Sequence, residues 1–380
     1  MTRAVQATDT PNVPFQPVSA AALAGWLRLQ MTDGVGLMTA HRLLRRFRTP
    51  EAVFDADRAA LLREVKPDQA DALLQPPPDA LAALVDATLA WQQQPGNFLL
   101  SYDDPAYPEA LRNIAAAPLL LYLKGRTELL GRPSLAVVGS RNASAQGMLN
   151  ADRMAQALSE AGLTIVSGLA LGIDAAAHAG GLNGPGSTIA VIGTGPDRIY
   201  PSRNKQLARR IAEEGCIVSE YALGTPPLRD NFPRRNRVIS GLARGVLVVE
   251  AAAQSGSLIT ARLAAAQGRE LYAVPGSIHA TLAKGCHTLI REGAKLVETA
   301  ADILTDLELL SPGAPGARPS PDDSFVDRVL AALGEDPAGA DLLAHRLQQS
   351  AADLQGQLLA LELAGLVERL PGGMFQRLRA

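Results

Sequence analysis

Short apolar runs alternate with longer alanine- and leucine-rich stretches between residues 132 and 310. Near-continuous apolar runs are typical of strands that are buried on both faces, and the roughly 15–25 residues between most of them are enough for a helical crossover. The runs are LAVVG, LTIVSG, STIAVIG, CIVSE, GVLVVE and ELYAVPG, with KLVE as a possible seventh. The pattern predicts an α/β fold, in which a parallel sheet carries helices on both faces and binds ligands at the carboxyl ends of its strands.

A helical pattern precedes the sheet pattern. Short helices are predicted from about residue 20 to 75 and again from 80 to 93, with a break at QPPPD. Gly34-Val35-Gly36 stands before a helical apolar stripe, as in a helix-hairpin-helix or SAM-like module, whose second helix can bind a DNA phosphate through its first N–H groups. A helical bundle that only packs on its neighbour fits the same pattern. We assign residues 19–95 to this module and residues 1–18 to a disordered tail.

The central domain is predicted to span residues 96–310, and its opening segment contains one short strand-like run at residues 119–123. SPGAPGARPSPDD marks a Pro/Gly linker over residues 311–322. Residues 323–380 contain three helical patterns followed by a hairpin, LVERL-PGG-MFQRL, which is the pattern of a winged helix.

Composition narrows the possible functions. The 380-residue chain has a formal net charge of −2, so a nucleic-acid contact would need locally concentrated basic residues. Aromatic residues make up only 4% of the chain, which disfavours a binding mode built mainly on base stacking. Cys216, Cys286 and the five histidines show no metal-ligand spacing, so no metal is predicted. The isolated cysteines, together with the lack of an apolar leader or membrane-length run, predict a cytoplasmic protein without membrane contact.

The loop after the first run, Gly139-Ser140-Arg141, lacks the later glycines of a dinucleotide fingerprint, and the chain contains no P-loop motif. No nicotinamide, flavin or other cofactor is therefore predicted. The glycine and the following helix start can still bind one phosphate, with charge-assisted hydrogen bonds from the serine and the arginine. The arginine could instead pair with a neighbouring carboxylate.

Five successive strand ends carry glycine, hydroxyl, amide or basic side chains. Cations at a helix start oppose the helix dipole, which suggests an anion among them, although ordinary solvated charges fit as well. A row of such loops suits a row of phosphates, as in a strand of nucleic acid that crosses the sheet edge. The candidate binding residues are Gly139, Ser140, Arg141, Ser167, Gly168, Arg203, Asn204, Lys205, Arg235, Asn236, Arg237, Ser255, Gly256, Ser257 and Lys284.

Groups suited to catalysis are sparse. We find no carboxylate pair with acid/base spacing and no nucleophile beside a base, so we predict no catalytic residues and no enzyme activity. Asp174 and His178 are spaced to share a helix face, either as a structural pair or as a dyad. Glu220 and Glu250 are the acids nearest the strand ends, where each could meet a base edge or an arginine.

Taken in order, the motifs VGSR, SGLALGIDAAAH, IAVIGTG, IYPSRN, SEY, FPRRNRVISGL, SGSLITA, AVPG and KGCHTLIREGA resemble the DprA/Smf family of DNA processing proteins, from about Tyr107 to Leu304. The resemblance implies an extended Rossmann-like domain that forms a homodimer and binds single-stranded DNA without strong sequence preference. It also implies that the protein protects incoming DNA in natural transformation and loads RecA recombinase onto it. The family often has lysine where Arg203 stands, and arginine keeps the charge but changes the geometry.

The alternative is a nucleotide-processing enzyme of the lysine-decarboxylase-like phosphoribohydrolase type, which shares a related fold. Such an enzyme needs a P-G-G-x-G-T motif, whereas the corresponding loop here is Pro275-Gly276-Ser277-Ile278. A nicotinamide-dependent oxidoreductase is disfavoured because the dinucleotide fingerprint is missing.

Overall fold

The computed structural model describes residues 18–309, 325–334, 336–350 and, within 354–378, all but 356, 359–360, 363–365 and 371–372. The chain divides into two compact units, residues 1–310 and 311–380. The predicted linker and all but the last residue of the predicted tail lie outside the described residues.

Six helices open the first unit. Side chains of Ser19, Thr49 and Asp57 accept backbone N–H groups at three of the helix starts, which is the ordinary way for a helix to begin. Apolar side chains of these helices form one buried cluster, which also includes Leu120 and Tyr122 of the sheet. The helices are α1 (Ala20–Met31), α2 (Leu37–Phe47), α3 (Pro50–Phe54), α4 (Arg58–Leu61), α5 (Pro67–Leu73) and α6 (Ala80–Gln92).

A nine-stranded sheet follows, and every predicted apolar run forms one of its strands. The strands are β1 (Asn97–Ser101), β2 (Leu120–Gly125), β3 (Ser134–Val138), β4 (Thr164–Ser167), β5 (Thr188–Val191), β6 (Cys216–Ser219), β7 (Gly245–Val248), β8 (Glu270–Ala273) and β9 (Lys295–Leu296), in the order β1-β2-β6-β5-β4-β3-β7-β8-β9. Strands β3 to β9 are parallel, which confirms the Rossmann-like prediction.

The sheet extends beyond that prediction at one edge, where β1 and β2 run antiparallel. The apolar pattern indicates β2 as a strand-like run but does not predict β1, because its NFLLS segment is short and directly follows a long helix. The result is a mixed sheet rather than a wholly parallel one.

Helices cover both faces of the sheet, as predicted. The helices are α7 (Glu109–Arg112), α8 (Ala145–Glu160), α9 (Ile173–Leu182), α10 (Lys205–Glu214), α11 (Asn231–Leu242), α12 (Ser257–Ala266), α13 (Lys284–Arg291) and α14 (Ala300–Asp306). Alternate residues of β3 point to opposite faces: Ala136 and Val138 pack with α11, α12 and α13, whereas Leu135 and Val137 pack with α8, α9 and α14.

The second unit is a winged helix, as predicted. It contains α15 (Phe325–Leu333), β10 (Ala338–Gly339), α16 (Ala340–Leu347), further helical residues between 354 and 362, β11 (Val367–Leu370) and β12 (Met374–Arg377). Its three strands are ordered β10-β12-β11, and its own apolar core includes Val329, Leu343, Leu358 and Val367. Among the helices described in either unit, none is long and apolar enough to cross a membrane.

Candidate functional site

A cleft of about 480 Å³ opens at the carboxyl ends of the parallel strands. Loops after β3, β4 and β7 form it together with the starts of α11 and α12, so it lies where ligands bind in parallel sheets. The candidate residues that line it are Gly139, Ser140, Arg141, Arg235, Asn236, Ser255, Gly256 and Ser257. The structure therefore brings three of the predicted loops together in one place.

The loop after β3 fits tightly against its neighbours. A Cβ atom on Gly139 would lie 2.6 Å from Ile173 Cγ1 and 2.8 Å from Glu250 O, so only glycine fits there. The Ser140 N–H donates to Glu250 O at 2.7 Å, and Ser140 O accepts from the Ile173 N–H at 3.1 Å. These contacts close the base of the cleft and place Arg141 at its surface.

The start of α8 differs from the prediction because the chain's own carboxylate occupies it. Glu250 Oε2 accepts from the Ser144 N–H at 2.9 Å, and Glu250 Oε1 accepts from Ser144 Oγ at 2.6 Å. A Cβ atom on Gly147 would lie 2.5 Å from Glu250 Oε2. The Glu250 carboxylate supplies the negative charge that is favourable at a helix N-terminus. Because it already occupies the Ser144 donors, a phosphate cannot bind to them as well.

Arg141 is exposed at the mouth of the cleft, and its Cζ atom lies 5.9 Å from the centroid of the Phe232 ring. The Phe232 ring is in turn 5.4 Å from the ring of Tyr200, whose exposed fraction is 49%. Within the described part of the chain, the Arg141 guanidinium makes no hydrogen bond or ion pair, so its donors remain available to a ligand.

Arg235 is buried on the other side of the cleft. Its Nη1 atom donates to Gly168 O at 2.6 Å and also to Val191 O, which joins the loop after β4 to the end of β5. Burial lowers the pKa of Arg235 to about 10. Arg235 lines the cleft, but its Nη1 donor is already used by backbone carbonyls.

Hydrogen bonds from buried side chains hold the loop after β4 in place. Ser167 Oγ donates to Val137 O at 2.7 Å, and Asp174 Oδ2 accepts from the N–H groups of Gly168 at 3.1 Å and Ala170 at 3.3 Å. Burial raises the pKa of Asp174, whereas Arg235 and these N–H groups act in the opposite direction. Ser167 and Gly168 therefore lie beneath the cleft and support it.

His178 does not pair with Asp174. Its Nε2 atom accepts from the Leu169 N–H at 3.3 Å, and its Nδ1 atom lies 2.7 Å from Thr188 Oγ1, which itself donates to Ile165 O. The Nδ1–H group is therefore the donor to Thr188, and the ring is neutral. Burial lowers the pKa of His178 to about 3. Both side chains hold the same loop, which fits the structural role rather than a dyad.

Arg237 is ion-paired with Glu220, at 2.6 Å from Nη1 to Oε1 and 2.5 Å from Nη2 to Oε2. The two side chains are only 12% and 11% exposed. Burial by itself lowers the pKa of Arg237, but the hydrogen bonds and charge of Glu220 outweigh it, so the pKa is raised. Arg237 does not line the cleft; it anchors α11 to the end of β6.

The other candidate residues lie around the cleft. The Asn204 amide is buried and donates to Leu169 O at 2.9 Å and Ala170 O at 3.1 Å. Arg203 and Lys205 flank it and are exposed. Lys284 is also exposed, and its Nζ atom donates to Ile278 O. These residues extend beyond the cleft along the same edge of the sheet.

The start of α12 contributes small groups. Ser255 Oγ and Ser257 Oγ lie 2.7 Å apart, and Gly256 has no atom within 4 Å of the position where a Cβ would lie. A ligand can therefore approach the backbone closely at this point. No group of three or more potential metal ligands occurs among the residues that the structure describes.

Sequence reasoning missed the aromatic part of the site. Phe232 and Tyr200 were passed over because aromatic residues are rare in the chain as a whole. The signal was local: each stands within four residues of a predicted basic helix start, in NFPRRN and IYPSRN.

Comparison with known proteins gives consistent matches. Residues 98–308 match the family described as DNA recombination-mediator protein A, and residues 313–373 match the DprA winged helix domain. Protein Smf of Escherichia coli is 42% identical over 305 residues, which cover 78% of this chain and 82% of that protein. DNA processing protein DprA of Streptococcus pneumoniae is 51% identical over 205 residues, which cover 54% of this chain and 72% of that protein.

Two solved structures are similar in fold and sequence. DNA processing protein A from Streptococcus pneumoniae superposes with a TM-score of 0.61 at 38% identity, covering 77% of this chain and 99% of that one. A structure describing the single-stranded DNA binding mode of DNA processing protein A from Helicobacter pylori has a TM-score of 0.51 at 29% identity, covering 55% of this chain and 95% of that one.

Proposed function

The chain belongs to the DNA recombination-mediator protein A family, and from this membership and its cleft we propose that it binds single-stranded DNA along the carboxyl edge of its sheet. The observation that carries the proposal is the uncommitted Arg141 guanidinium beside the Phe232 and Tyr200 rings. A cation next to a half-buried Phe232 ring and an exposed Tyr200 ring suits a phosphate with an unstacked base at its side.

The cleft favours a single strand over a duplex. Unpaired bases have exposed faces that can stack on an aromatic ring, whereas the bases of a duplex are stacked on one another. The candidate residues that line the cleft include an arginine that can bind a phosphate and a glycine that leaves the backbone accessible. They do not form an obvious set of side chains that would recognise the edge of one particular base. We therefore propose binding without strong sequence preference.

The candidate residues divide into two proposed roles. Exposed or cleft-lining groups with free donors would contact the DNA, and buried groups with protein partners would shape the surface beneath it. We assign contact to Arg141, Asn236, Ser255, Gly256, Ser257, Arg203, Lys205 and Lys284, and support to Gly139, Ser140, Ser167, Gly168, Asn204, Arg235 and Arg237.

We further propose that the protein acts as a homodimer in the cytoplasm, without enzyme activity. It would protect incoming single-stranded DNA during natural transformation and deliver that DNA to RecA recombinase. This part is supported by the family description, DNA recombination-mediator protein A, and by the Helicobacter pylori relative, whose structure is described as showing a single-stranded DNA binding mode. The readouts are nuclease protection of a bound strand and the rate at which RecA assembles on it.

A competition experiment tests the binding proposal. The protein is bound to a fluorescent oligothymidylate, and unlabelled single-stranded or duplex DNA of the same length is added. We expect the single strand to displace the label at a concentration at least about tenfold lower than the duplex, a difference of about 1.4 kcal/mol. Equal displacement by both would contradict the proposal. Release of a free base from nucleoside monophosphates would support the phosphoribohydrolase alternative instead.

A further inference from the structure

Helix α2 of the N-terminal module carries an unpaired basic face. Residues 37–48 contain four arginines, Arg42, Arg45, Arg46 and Arg48, and no acidic residue. All four are exposed, while Ala40, Leu43 and Leu44 on the opposite face are buried. Within the described residues, none of the four guanidinium groups forms a hydrogen bond or an ion pair.

Strand register places α2 at the same edge of the sheet as the cleft. His41 of α2 lies with Nε2 2.7 Å from Ala117 O, and its ring is 4.5 Å from that of Tyr102. Ala117 precedes β2 and Tyr102 follows β1, and the ends of these strands lie beside Ser219 at the carboxyl end of β6. The N-terminal module therefore packs beside the carboxyl ends of the parallel strands. The loops at these strand ends carry the candidate anion-binding groups.

The gap between the two sites is one that a nucleic-acid strand can span. In the order β3-β4-β5-β6-β2, four strand spacings of ~4.8 Å separate the middle of the cleft from the module, roughly 20 Å in all. Exposed Arg203 and Arg229 lie in the loops that follow β5 and β6, between the two ends of this path. Ala222 and Leu223, also after β6, pack against the apolar core of the module and hold it beside that loop.

We propose that the arginine face of α2 is a second binding site for the sugar–phosphate backbone, and that it holds the part of a single strand that leaves the cleft past β6. Three unpaired arginines on α2 and a fourth, Arg48, directly after it have no acidic residue among them, so they are complementary to phosphates and to no particular base. The start of α2 supports this placement, since no side chain caps it at Gly36. The inference rests on the proposed function in that the same strand occupies the cleft.

The test compares a short oligothymidylate of about 5 nucleotides, which fills only the cleft, with a long one of about 25 nucleotides. The variant is Arg42→Ala/Arg45→Ala/Arg46→Ala. Its matched control, Arg132→Ala/Arg244→Ala/Arg291→Ala, removes three exposed arginines from the opposite edge of the sheet. Circular dichroism melting verifies that both variants are folded.

We expect the α2 variant to bind the short oligonucleotide as the wild type does. It should bind the long one about tenfold more weakly near physiological salt, with a log–log salt slope smaller in magnitude by about 2. The control should match the wild type on both. If the α2 variant also matches the wild type on the long oligonucleotide, the second site is disproved while the cleft stands. If the wild type binds neither oligonucleotide, the proposed function fails as well.

Discussion

At the scale of single residues, similar side chains in one motif have different roles. Arg235 and Arg237 are two positions apart on α11, so they point in different directions around the helix. Arg235 is directed to the backbone of the β4 and β5 ends, whereas Arg237 is directed to Glu220. Arg141 has no such partner within the described residues and stays available for a ligand.

The contact between Gly147 and Glu250 gives the first prediction. Gly147→Ala puts a methyl group against the carboxylate that caps α8, and we expect the free energy of unfolding to fall by about 1–3 kcal/mol. Urea denaturation measures it. Gly36→Ala is the control, because a Cβ there meets no atom within 4 Å. Equal free energies of unfolding for the two variants would show that the Glu250 side chain moves away from the added methyl group without cost.

His178 gives a pH-dependent prediction. The unfolded chain protonates this histidine below pH 6.5, but the folded chain does so only near pH 3, because burial lowers the pKa of His178 to about 3. The His178 contribution to stability is therefore lost as pH falls from about 6.5 towards 3, with a slope approaching 1.4 kcal/mol per pH unit.

The variant His178→Gln tests this. Glutamine does not titrate, so we expect its free energy of unfolding to be lower than the wild type's at pH 7.5 and to fall less steeply below pH 6.5. Urea denaturation at a series of pH values measures the difference. Parallel pH profiles for the two proteins would mean that His178 is not held neutral in the folded state.

At the scale of elements, the apolar pattern predicted the parallel strands and the helices around them well. It did so because the spacing of apolar residues and the length of each apolar run depend directly on which faces of an element are buried. It could not predict that β1 would join the sheet, since NFLLS pairs only with β2 and at the edge. Nor could it show which groups at the strand ends meet protein partners. Glu220 lies 17 residues before Arg237, and its sequence position fits a base edge as well as an arginine. Glu250 reaches Ser144 from a strand end that is 106 residues away in sequence.

The ion pair between Arg237 and Glu220, which anchors α11 to the end of β6, gives a prediction at this scale. Removing either partner of the Arg237–Glu220 pair leaves a largely buried charge, so Glu220→Gln and Arg237→Gln should each lower the free energy of unfolding by on the order of 3 kcal/mol. The double variant should lose less than the sum of the two. Urea denaturation of all three completes the cycle. Additive losses, or tighter DNA binding by Glu220→Gln, would show that Arg237 is free to contact DNA.

At the scale of the whole molecule, two compact units each have their own apolar core. The cleft and the arginine face of α2 both lie in the first unit. We therefore expect a chain that ends at residue 310 to fold, to unfold at the same urea midpoint as the first unit of the full protein, and to keep its affinity for oligothymidylate. Loss of folding on truncation would show that the first unit depends on the second.

The most direct test of the central claim measures oligothymidylate binding at several salt concentrations for the wild type, Arg141→Ala and Arg244→Ala. Arg244 is also an exposed arginine, and it lies at the opposite end of the strands. If Arg141 binds a phosphate, Arg141→Ala weakens binding and reduces the magnitude of the log–log salt slope by about 0.7–1, while Arg244→Ala leaves both unchanged. Equal affinity and slope for the wild type and Arg141→Ala would contradict the claim that DNA is bound at this cleft.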